Sequence, residues 1–530
     1  LGIEKSTIGI DSNFFELGGH SLRATVLISR IHKELNVKVP LAEIFKTPTI
    51  KQISLYLENS KKNIYEDIKP VEKREYYPQS SAQKRHFFLE QLDEIGTSYN
   101  ISYVLKVQGE MVPQHHENTF KGLIRRHETL RTSFELIDNE PVQRVYQQVD
   151  FKIEQVHLPD KDKMVNNEHI QKVIKDFIRP FALSKAPLLR AGLMKLSQQE
   201  YLLLFDTHHI ISDGTSMTIL TQEFIQLFSG SQLLPLKIQY KDFSIWQNNL
   251  FKSGEIKKQE EYWMNLYGDT DNIPILNLPT DYPRQDIFNF EGAAYHFQLE
   301  PEDSSAFKEL AKENGATLYM NLLAAFNVLL HKYTRQDDII VGTGIAGRPH
   351  DDLKNIFGMF VNTLAIRNYP EGEKTYLEFL KEVKDNCVKA FENQDMQFEE
   401  LVTRINLDRT AVKNPIFSVE LNVHNYERPV PARPAVEKAG HSQVTHYGYE
   451  NTTSKFDMIL FATEVGEKIS FMLEYSTALF KAETIEKMAR RYIQIIKQVK
   501  ENKTIKIKEI KISHDLLVAR PAEISAELQL

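Results

Sequence analysis

The fold is decided by Tyr201-Leu202-Leu203-Leu204-Phe205 and, just after it, His208-His209-Ile210-Ile211-Ser212-Asp213-Gly214. Five apolar residues in a row predict a buried strand, and Thr215 to Phe228 has the apolar spacing of a helix. A histidine pair, with an acid four residues after His209, therefore lies at a strand-to-helix junction. Acyl chemistry can be done at such a place.

Strand-like and helix-like stretches alternate on both sides of this junction. Because alternation of this kind is typical of layered α/β proteins, we predict two α/β lobes at about 76–273 and 284–515, joined by the proline-rich crossing Pro274 to Pro283. The predicted elements are extended segments at Tyr103 to Val107, Ala293 to Leu299 and Asp338 to Gly342, and helices at Gly122 to Thr129 and Ser304 to Tyr333.

The first 59 residues have a different pattern. Leu22, Val26, Ile31 and Leu35 recur at roughly helical spacing, and shorter helices are predicted near residues 41–45 and from residue 49. This pattern predicts a small all-helical bundle at 1–59. Residues 60–75 are charged and poor in apolar periodicity, which favours an interdomain linker. The segment 519–530 has little pattern and is interpreted as an appended tail.

Composition narrows the classes of function. A chain of 530 residues is expected to form two to four domains. It has no window of ~18 apolar residues and no signal-peptide pattern, so we expect a soluble cytoplasmic protein without membrane contact. A net charge of -7 with interspersed signs argues against nucleic acid as a partner. The single cysteine, Cys387, excludes internal disulfides and multi-cysteine metal sites, and we predict a buried structural thiol.

Ser21 follows Gly18-Gly19-His20 and precedes the first helical segment. Glycines permit a tight turn there, and a serine in that position, taken alone, has a plain structural explanation as a cap or first-turn residue of the helix. The surrounding sequence, Asp11 to Leu22, resembles the peptidyl carrier domains of nonribosomal peptide synthetases nearly residue for residue. That resemblance implies that Ser21 is esterified with 4'-phosphopantetheine. A histidine at the position of His20 resembles the pattern of carriers that feed a condensation domain directly.

His208 to Gly214 has three explanations from its residues alone. Asp213 can cap the following helix while the histidines merely end a strand. His209 and Asp213 can be metal ligands, although no third ligand is identifiable nearby. One histidine can accept a proton during catalysis, with the acid and the helix start fixing its position.

The sequence from Tyr77 to Pro415 resembles condensation domains motif by motif. Thr410 and Val412 depart from the seventh motif, and Gln397 stands in the sixth where proline is usual. The matching stretches are Ser80 to Arg85, Arg126 to Phe134, His208 to Gly214, Tyr240 to Trp246, Phe357 to Leu364, Asn393 to Glu399 and Arg409 to Pro415.

This resemblance implies a chloramphenicol acetyltransferase-like fold, with two α/β lobes in a V and a tunnel between them. It implies that a carrier-bound amine attacks a carrier-bound thioester, with His209 as general base or as a group that orients the amine. Asp213 is expected to fix the active-site loop, and we predict that Arg284 is its ion-pair partner. Gly214 leaves the loop without side-chain bulk, and His208 points to the opposite face of the strand. Arg85 and Asn362 are predicted to support the site structurally.

Cofactor and partners follow from the same resemblance. 4'-Phosphopantetheine is expected on Ser21 and no metal is expected. The expected partners are a phosphopantetheinyl transferase, an upstream adenylation domain, downstream adenylation and carrier domains, and aminoacyl or peptidyl thioesters. The match is especially like bacterial synthetases of the tyrocidine and gramicidin type. Two alternatives remain: an epimerising domain and a catalytically inactive condensation-like domain. An Asp-rich heterocyclising motif is absent from the sequence.

Overall fold

The structure is a computed structural model that describes residues 3–91, 96–109, 111–158, 167–285, 289–406, 414–424, 443–449 and 453–512. Positions 409–413 of the seventh motif, the end of the second lobe at 513–515, and the predicted tail at 519–530 lie outside the described residues. Within those ranges no helix combines the length and the apolar character needed to cross a membrane.

Three helices form the N-terminal unit. Gly18 precedes the first of them with a φ of 86°, in the left-handed region that favours glycine. Asn36 ends that helix in the same conformation. Ala24, Leu41 and Ile44 are buried, so the helices share a small apolar core. The three helices are α1 (Ser21–Leu35), α2 (Leu41–Lys46) and α3 (Ile50–Glu58).

The first lobe of the α/β part follows residues 60–75. Its elements are β1 (Tyr77–Pro78), α4 (Ser81–Leu89), β2 (Asn100–Gln108), α5 (Pro113–Arg126), β3 (Thr132–Ile137), β4 (Glu140–Val145), β5 (Glu154–Val156), α6 (Asn167–Phe177), β6 (Leu189–Lys195), β7 (Glu200–His208), α7 (Gly214–Phe228) and α8 (Tyr240–Ser253), and α9 (Lys257–Tyr267) follows them in the chain.

The second lobe alternates strands and helices in the same way. Its elements are β8 (Gly292–Leu299), α10 (Pro301–Glu313), α11 (Leu318–Thr334), β9 (Ile339–Ile345), β10 (Asn362–Asn368), α12 (Tyr376–Glu392), α13 (Phe398–Arg404), β11 (Val419–His424), β12 (Gln443–His446), β13 (Met458–Val465), β14 (Lys468–Ser476) and α14 (Ala482–Glu501).

Each lobe is built on its own large sheet, and one strand crosses between the lobes. The first lobe has a five-stranded sheet in the order β12-β2-β7-β6-β5 and a small sheet β1-β4-β3. The second lobe has a six-stranded sheet in the order β10-β9-β11-β13-β14-β8. Strand β12 comes from the second half of the chain but pairs antiparallel with β2, Gln443 opposite Gln108. The first lobe's sheet therefore includes a strand from the other half of the chain.

The predicted fold class, an all-helical unit followed by a two-lobed α/β part, is confirmed, and the differences are local. The single helix predicted from Ser304 to Tyr333 is two helices. Gly315 adopts a φ of 59° between them, and Thr317 caps α11 by accepting a hydrogen bond from the Met320 N–H. Helix α9 falls within the range 76–273 predicted for the first lobe, but Tyr267 packs in the second lobe's core and donates a hydrogen bond to the Ala365 carbonyl.

The N-terminal unit is docked on the second lobe. Lys33 of α1 contacts Asp351 and Asp352 of that lobe, at 3.2 and 2.6 Å from its Nζ atom. The Ala42 N–H donates a hydrogen bond to Glu392 of α12. Apolar residues of α1 and α2 are continuous with the core of the second lobe. The two units therefore share an interface of both ion pairs and apolar contacts.

Residues 60–75 contain no helix or strand, and part of this segment is packed onto the lobes. Ile68 is buried, and its N–H donates to the Asp352 carboxylate at 3.1 Å. The Val71 N–H donates to Asp242 at the start of α8. Tyr65 and the Glu66 carbonyl also contact His350, so the segment is anchored from Tyr65 onward.

Candidate functional site

The histidine motif is a tight turn between β7 and α7. His208 ends the strand, His209 to Ile211 form a single 3₁₀ turn, and Gly214 begins the helix. Asp213 is the residue before the helix, and its carboxylate accepts a hydrogen bond from the Ser216 N–H at 2.7 Å. Asp213 therefore caps helix α7, and the same carboxylate has further contacts.

Asp213 is held by the second lobe through Arg348, so the predicted pairing with Arg284 is wrong. Arg348 Nη2 lies 3.2 Å from Asp213 Oδ1, and both side chains are buried. The Phe360 N–H donates to the second oxygen at 3.0 Å. Arg348 also donates to Ser216 and to two backbone carbonyls of its own loop. We call Asp213, Ser216 and Arg348 the clamp.

Arg284 has a different partner, Asp457, which lies just before β13. Its Nη2 atom is 2.7 Å from Asp457 Oδ2, and its Nη1 atom donates to Oδ1 at 2.9 Å. The two-pronged contact is typical of a strong arginine–carboxylate pair. It joins the crossing between the lobes to the large sheet of the second lobe. The prediction that Arg284 forms an ion pair is correct, but its partner is Asp457 and not Asp213.

His209 occupies the middle of the turn. Its N–H donates to the Tyr99 carbonyl at 2.8 Å, which fixes the backbone. The Nδ1 atom of the ring is buried and forms no hydrogen bond with another described residue. Burial first, and then the nearby positive charge of Lys455, hold the pKa of His209 well below its ordinary value of 6.5. The ring is therefore neutral near neutral pH.

His208 faces a different environment from His209. It is 1% exposed, its Nδ1 accepts a hydrogen bond from the Ile210 N–H, and its Nε2 lies 3.4 Å from Glu90. These contacts use both ring nitrogens. The structure therefore shows His208 bound within the protein, whereas His209 keeps part of its surface accessible.

Charged side chains surround His209 and come from both lobes. Arg85 of α4 pairs with Glu399 of α13 at 2.8 Å, which links the two lobes. Lys455 lies with its ammonium 4.6 Å from the centre of the Tyr99 ring. Burial lowers the pKa of Lys455 to about 8 and raises that of Glu420 on β11 to about 7. Both groups thus titrate close to neutral pH.

Asn362 supports the site from the start of β10. Its side-chain N–H groups donate to the carbonyls of Gln394 and Met396, both at 2.9 Å. Its oxygen accepts the N–H groups of Thr363 and Phe398. All polar atoms of this buried amide are used, and they join the fifth predicted motif to the sixth.

Ser21 is the first residue of α1. The residue is partly exposed, whereas its hydroxyl oxygen is covered and has no hydrogen-bond partner among the described residues. Gly19 lies against Phe14, so closely that a Cβ atom on it would be 2.5 Å from the Phe14 carbonyl oxygen. Burial lowers the pKa of His20 to about 4, so the His20 side chain is uncharged at neutral pH.

These features fit a phosphopantetheine group on Ser21. The hydroxyl forms no hydrogen bond with a described residue, so no such bond opposes a rotation that exposes it for esterification. It stands at the N-terminus of a 15-residue helix, where free N–H groups and the helix dipole favour a phosphate. Arg23 follows two residues later and adds a positive charge. For a metal ion, the described residues offer no cluster of three His, Cys, Asp or Glu side chains.

Two domain families account for almost the whole chain. The family described as "Condensation domain" matches residues 73–516. The family described as "Phosphopantetheine attachment site" matches residues 1–57. Both regions coincide with the structural units that contain His209 and Ser21. The fold and the two sites thus define a carrier domain joined to an acyl-transferring domain.

Curated relatives support the same assignment to these two families. The chain is 45% identical over 512 residues to bacitracin synthase 3 of Bacillus licheniformis, covering 96% of this chain and 8% of that protein. It is 45% identical over 514 residues to gramicidin S synthase 2 of Brevibacillus brevis, with 96% and 11% covered. Tyrocidine synthase 3 of Brevibacillus parabrevis is 44% identical over 512 residues, with 96% and 8% covered. The chain spans about a tenth of the length of these relatives.

Solved structures agree on the fold. A four-domain nonribosomal peptide synthetase in its holo form, bound to AMP and glycine, has a TM-score of 0.76 at 22% identity. The match covers 84% of this chain and 34% of that one. The X-domain from teicoplanin biosynthesis has a TM-score of 0.74 at 22% identity, covering 84% of this chain and 100% of the other.

The chain therefore belongs to the condensation-domain family and carries a phosphopantetheine attachment domain before it. It is a carrier–condensation segment of the nonribosomal peptide synthetase type, and its class of activity is peptide-bond-forming acyl transfer. The predicted family, fold, enzyme class and cofactor are confirmed. The partner of Asp213 and a histidine beside His209, His86, were missed, because no motif in the sequence marks either contact.

Proposed function

We propose that this chain holds an aminoacyl or peptidyl group on Ser21 and joins it to an amine presented by a downstream carrier, with His209 at the centre of the reaction. The observation that carries the proposal is the part-accessible imidazole of His209 in the turn before a helix that the clamp fixes. When bound, phosphopantetheine supplies the thiol that holds the acyl group as a reactive thioester.

His209 is suited to receive a hydrogen bond from the attacking amine. Because its pKa is lowered, its ring stays neutral and keeps a lone pair across the neutral range. A neutral imidazole orients the amine and takes up its proton as the new bond forms, which contributes up to ~10²–10⁴-fold if the transfer is concerted with attack. If orientation alone is its role, the contribution is smaller, because the thioester is already reactive.

The clamp sets the position of His209 indirectly. Asp213 is four residues from His209, and three hydrogen-bond donors from Ser216, Arg348 and Phe360 fix its carboxylate. Gly214 starts the helix without a side chain. Arg85, through Glu399, joins the lobes beside the same turn. Asp213, Arg85 and Asn362 are thus positioning residues in this proposal, and Arg284 supports the crossing between the lobes.

Partners follow from the two halves of the chain. A phosphopantetheinyl transferase modifies Ser21, an upstream adenylation domain supplies the acyl group, and downstream adenylation and carrier domains supply the amine. The proposed location is the cytoplasm, where these soluble enzymes and their substrates meet. Nucleic acid and membrane have no part in this proposal.

A transfer assay tests the proposal directly. Ser21 is loaded with alanyl-phosphopantetheine from alanyl-coenzyme A by a phosphopantetheinyl transferase, and the alanyl thioester of pantetheine is supplied as the acceptor. Dipeptidyl thioester is measured by mass spectrometry. We expect wild-type product, no loading in Ser21→Ala, and a rate at least ~10-fold lower in His209→Ala. His296→Ala, an exposed histidine on β8, is the matched control.

Three results would overturn the proposal. A loaded wild-type chain that forms no dipeptide with any acceptor carries an inactive condensation-like domain. Inversion of the loaded alanine's configuration without transfer would assign the domain to the epimerising class. Equal rates for His209→Ala and His296→Ala would remove His209 from the centre of the reaction.

A further inference from the structure

Lys455 is a part-accessible lysine near His209 that the proposed mechanism does not use. It belongs to the second lobe and lies just before β13. Its ammonium lies over the Tyr99 ring of the first lobe, 4.6 Å from the centre of the ring. An aromatic ring attracts a cation at this distance, and the attraction is stronger where water is excluded. Lys455 therefore binds a residue of the opposite lobe.

Tyr99 connects this cation to the histidine turn. Its carbonyl accepts the His209 N–H at 2.8 Å. Its ring meets the ring of His86 edge to face with 4.9 Å between centres, and the His86 ring is stacked on that of His209 at 5.0 Å. The Tyr99 ring also packs against Phe290 of the second lobe. Tyr99 thus contacts His209 through its backbone and, by way of His86, through its ring.

The charge of Lys455 depends on groups from three elements around it. Burial lowers the pKa of Lys455 to about 8, the carboxylates of Glu474 on β14 and Glu420 on β11 oppose this shift, and Arg85 on α4 adds to it. Burial raises the pKa of each of the two acids to about 7, so both are ionised when Lys455 loses its proton. Lys455 is therefore charged below about pH 8 and neutral above it.

The rings between Lys455 and the turn keep the same charge across this range. Burial raises the pKa of the Tyr99 phenol to about 12. Burial also holds the pKa of His86 and of His209 well below 6.5, so both imidazoles stay neutral. A change in the protein's activity near pH 8 would therefore report the charge of Lys455 and not that of His209.

We propose that Lys455 is a positioning residue for the condensation reaction: its ammonium holds the Tyr99 ring, and Tyr99 holds His209. The inference rests on the proposed function and adds a residue to the same site. When Lys455 loses its charge, the attraction to the ring is lost and Tyr99 can shift. His209 shifts with it, and the reaction slows because the reacting groups are less well placed.

The test follows the transfer assay above from about pH 6.5 to about pH 9.5. The ratio of the wild-type rate to the Lys455→Met rate cancels the titration of the acceptor's own amine. We expect a ratio of about ten near pH 7 that falls to about one above about pH 9, where the wild-type lysine is neutral. Lys455→Arg keeps a cation at all these pH values. Its rate relative to wild type should therefore rise about tenfold from about pH 7 to about pH 9.5.

The route through the ring is tested with Tyr99→Leu, which removes the ring and keeps the carbonyl that holds His209. If Lys455 acts through the ring, Lys455→Met should slow the Tyr99→Leu chain by less than about twofold. A full tenfold loss in that background would show that Lys455 acts on the substrate directly. That result would overturn the inference.

Lys195→Met is the matched control, because Lys195 lies over the Tyr201 ring at 5.9 Å but is exposed on the strand β6. It should leave the rate and its pH dependence unchanged. A wild-type to Lys455→Met ratio that is the same at every pH, whether ten or one, would overturn the inference. If Lys455→Met has a low melting temperature, Lys455→Arg decides, and a constant ratio to wild type would overturn the inference. A wild-type chain without any dipeptide product would instead overturn the proposed function.

Discussion

The two functional helices of this chain begin in opposite ways. Helices α1 and α7 have 15 residues each, and a histidine and a glycine lie near the start of both. At α1 no side chain caps the helix, and the Ser21 hydroxyl has no partner in the described part of the protein. At α7, Asp213 caps the helix, is buried, and is clamped by Arg348 from the other lobe.

The difference follows from what each helix start has to do. Ser21 must be reached by an enzyme that modifies it and then present its acyl group to more than one partner. A hydrogen bond from its hydroxyl would have to be broken before the phosphopantetheine group is attached. In the proposed reaction His209 keeps one orientation while bonds form, and a misplacement of about 1 Å can cost about 100-fold in rate. A free helix start suits attachment, and a clamped helix start suits catalysis.

Removing the clamp should have the largest effect. In Arg348→Met, Asp213 keeps its helix-cap bond but becomes a buried carboxylate without its cation. We expect the free energy of unfolding to fall by about 3–5 kcal/mol and the dipeptide-forming rate to fall with it. Denaturant unfolding of the loaded chain measures the first quantity. Arg490→Met, on the exposed face of α14, is the control and should cost less than about 0.5 kcal/mol. An unfolding midpoint equal to that of wild type would show that the clamp is dispensable.

Crowding the free helix start should have an intermediate effect. A Cβ atom in Gly19→Ala would meet the Phe14 carbonyl oxygen at 2.5 Å, so the turn before Ser21 must shift. We expect a loss of about 1–3 kcal/mol confined to the carrier domain, together with slower attachment of phosphopantetheine. Mass spectrometry follows the attachment. Gly9→Ala, whose Cβ would meet only the Ser12 hydroxyl at 3.2 Å, is the control within the same domain. Normal attachment in Gly19→Ala would mean that the turn is more tolerant than its contacts indicate.

Loosening the docked carrier should have the smallest effect. Lys33→Ala removes the contacts to Asp351 and Asp352, which are partly exposed on the lysine side. We expect a change of about 1 kcal/mol or less and a larger radius of gyration in solution scattering. Lys51→Ala, which breaks an exposed pair with Asp11 inside the carrier, is the control and should leave the radius unchanged. An unchanged radius in Lys33→Ala would show that the apolar contacts hold the interface alone.

Local structure could be predicted from the sequence where it depends on neighbouring residues. The strand before the histidine motif and the helix after it were predicted at Tyr201 to Phe205 and Thr215 to Phe228, and they are β7 and α7. The break between α10 and α11 was missed, although Gly315 and the cap at Thr317 mark it. The apolar periodicity continues across the break and hides it.

Contacts across the lobes could not be predicted, because they depend on how distant segments fold together. Arg348 is 135 residues from Asp213, in a loop between β9 and β10 that no sequence period connects to the motif. Arg284 was predicted to pair with Asp213 because it lies at the crossing between the lobes. At that position it pairs with Asp457 instead. His86 lies beside Arg85 in a recognised motif, yet only the packing of α4 against the turn stacks it on His209.

The anchored segment before β1 has a consequence for timing. Since His350 contacts Tyr65 and the Glu66 carbonyl, and Ile68 and Val71 are fixed to the lobes, only residues 60–64 are left as a tether, at most about 17 Å when fully extended. A carrier on so short a tether stays within a small volume around the lobes. Its effective concentration at the lobes is therefore on the order of millimolar. Once released from its docked position, the carrier re-encounters its own condensation domain before it meets that of another molecule. The anchor thus favours delivery within one chain over exchange between chains.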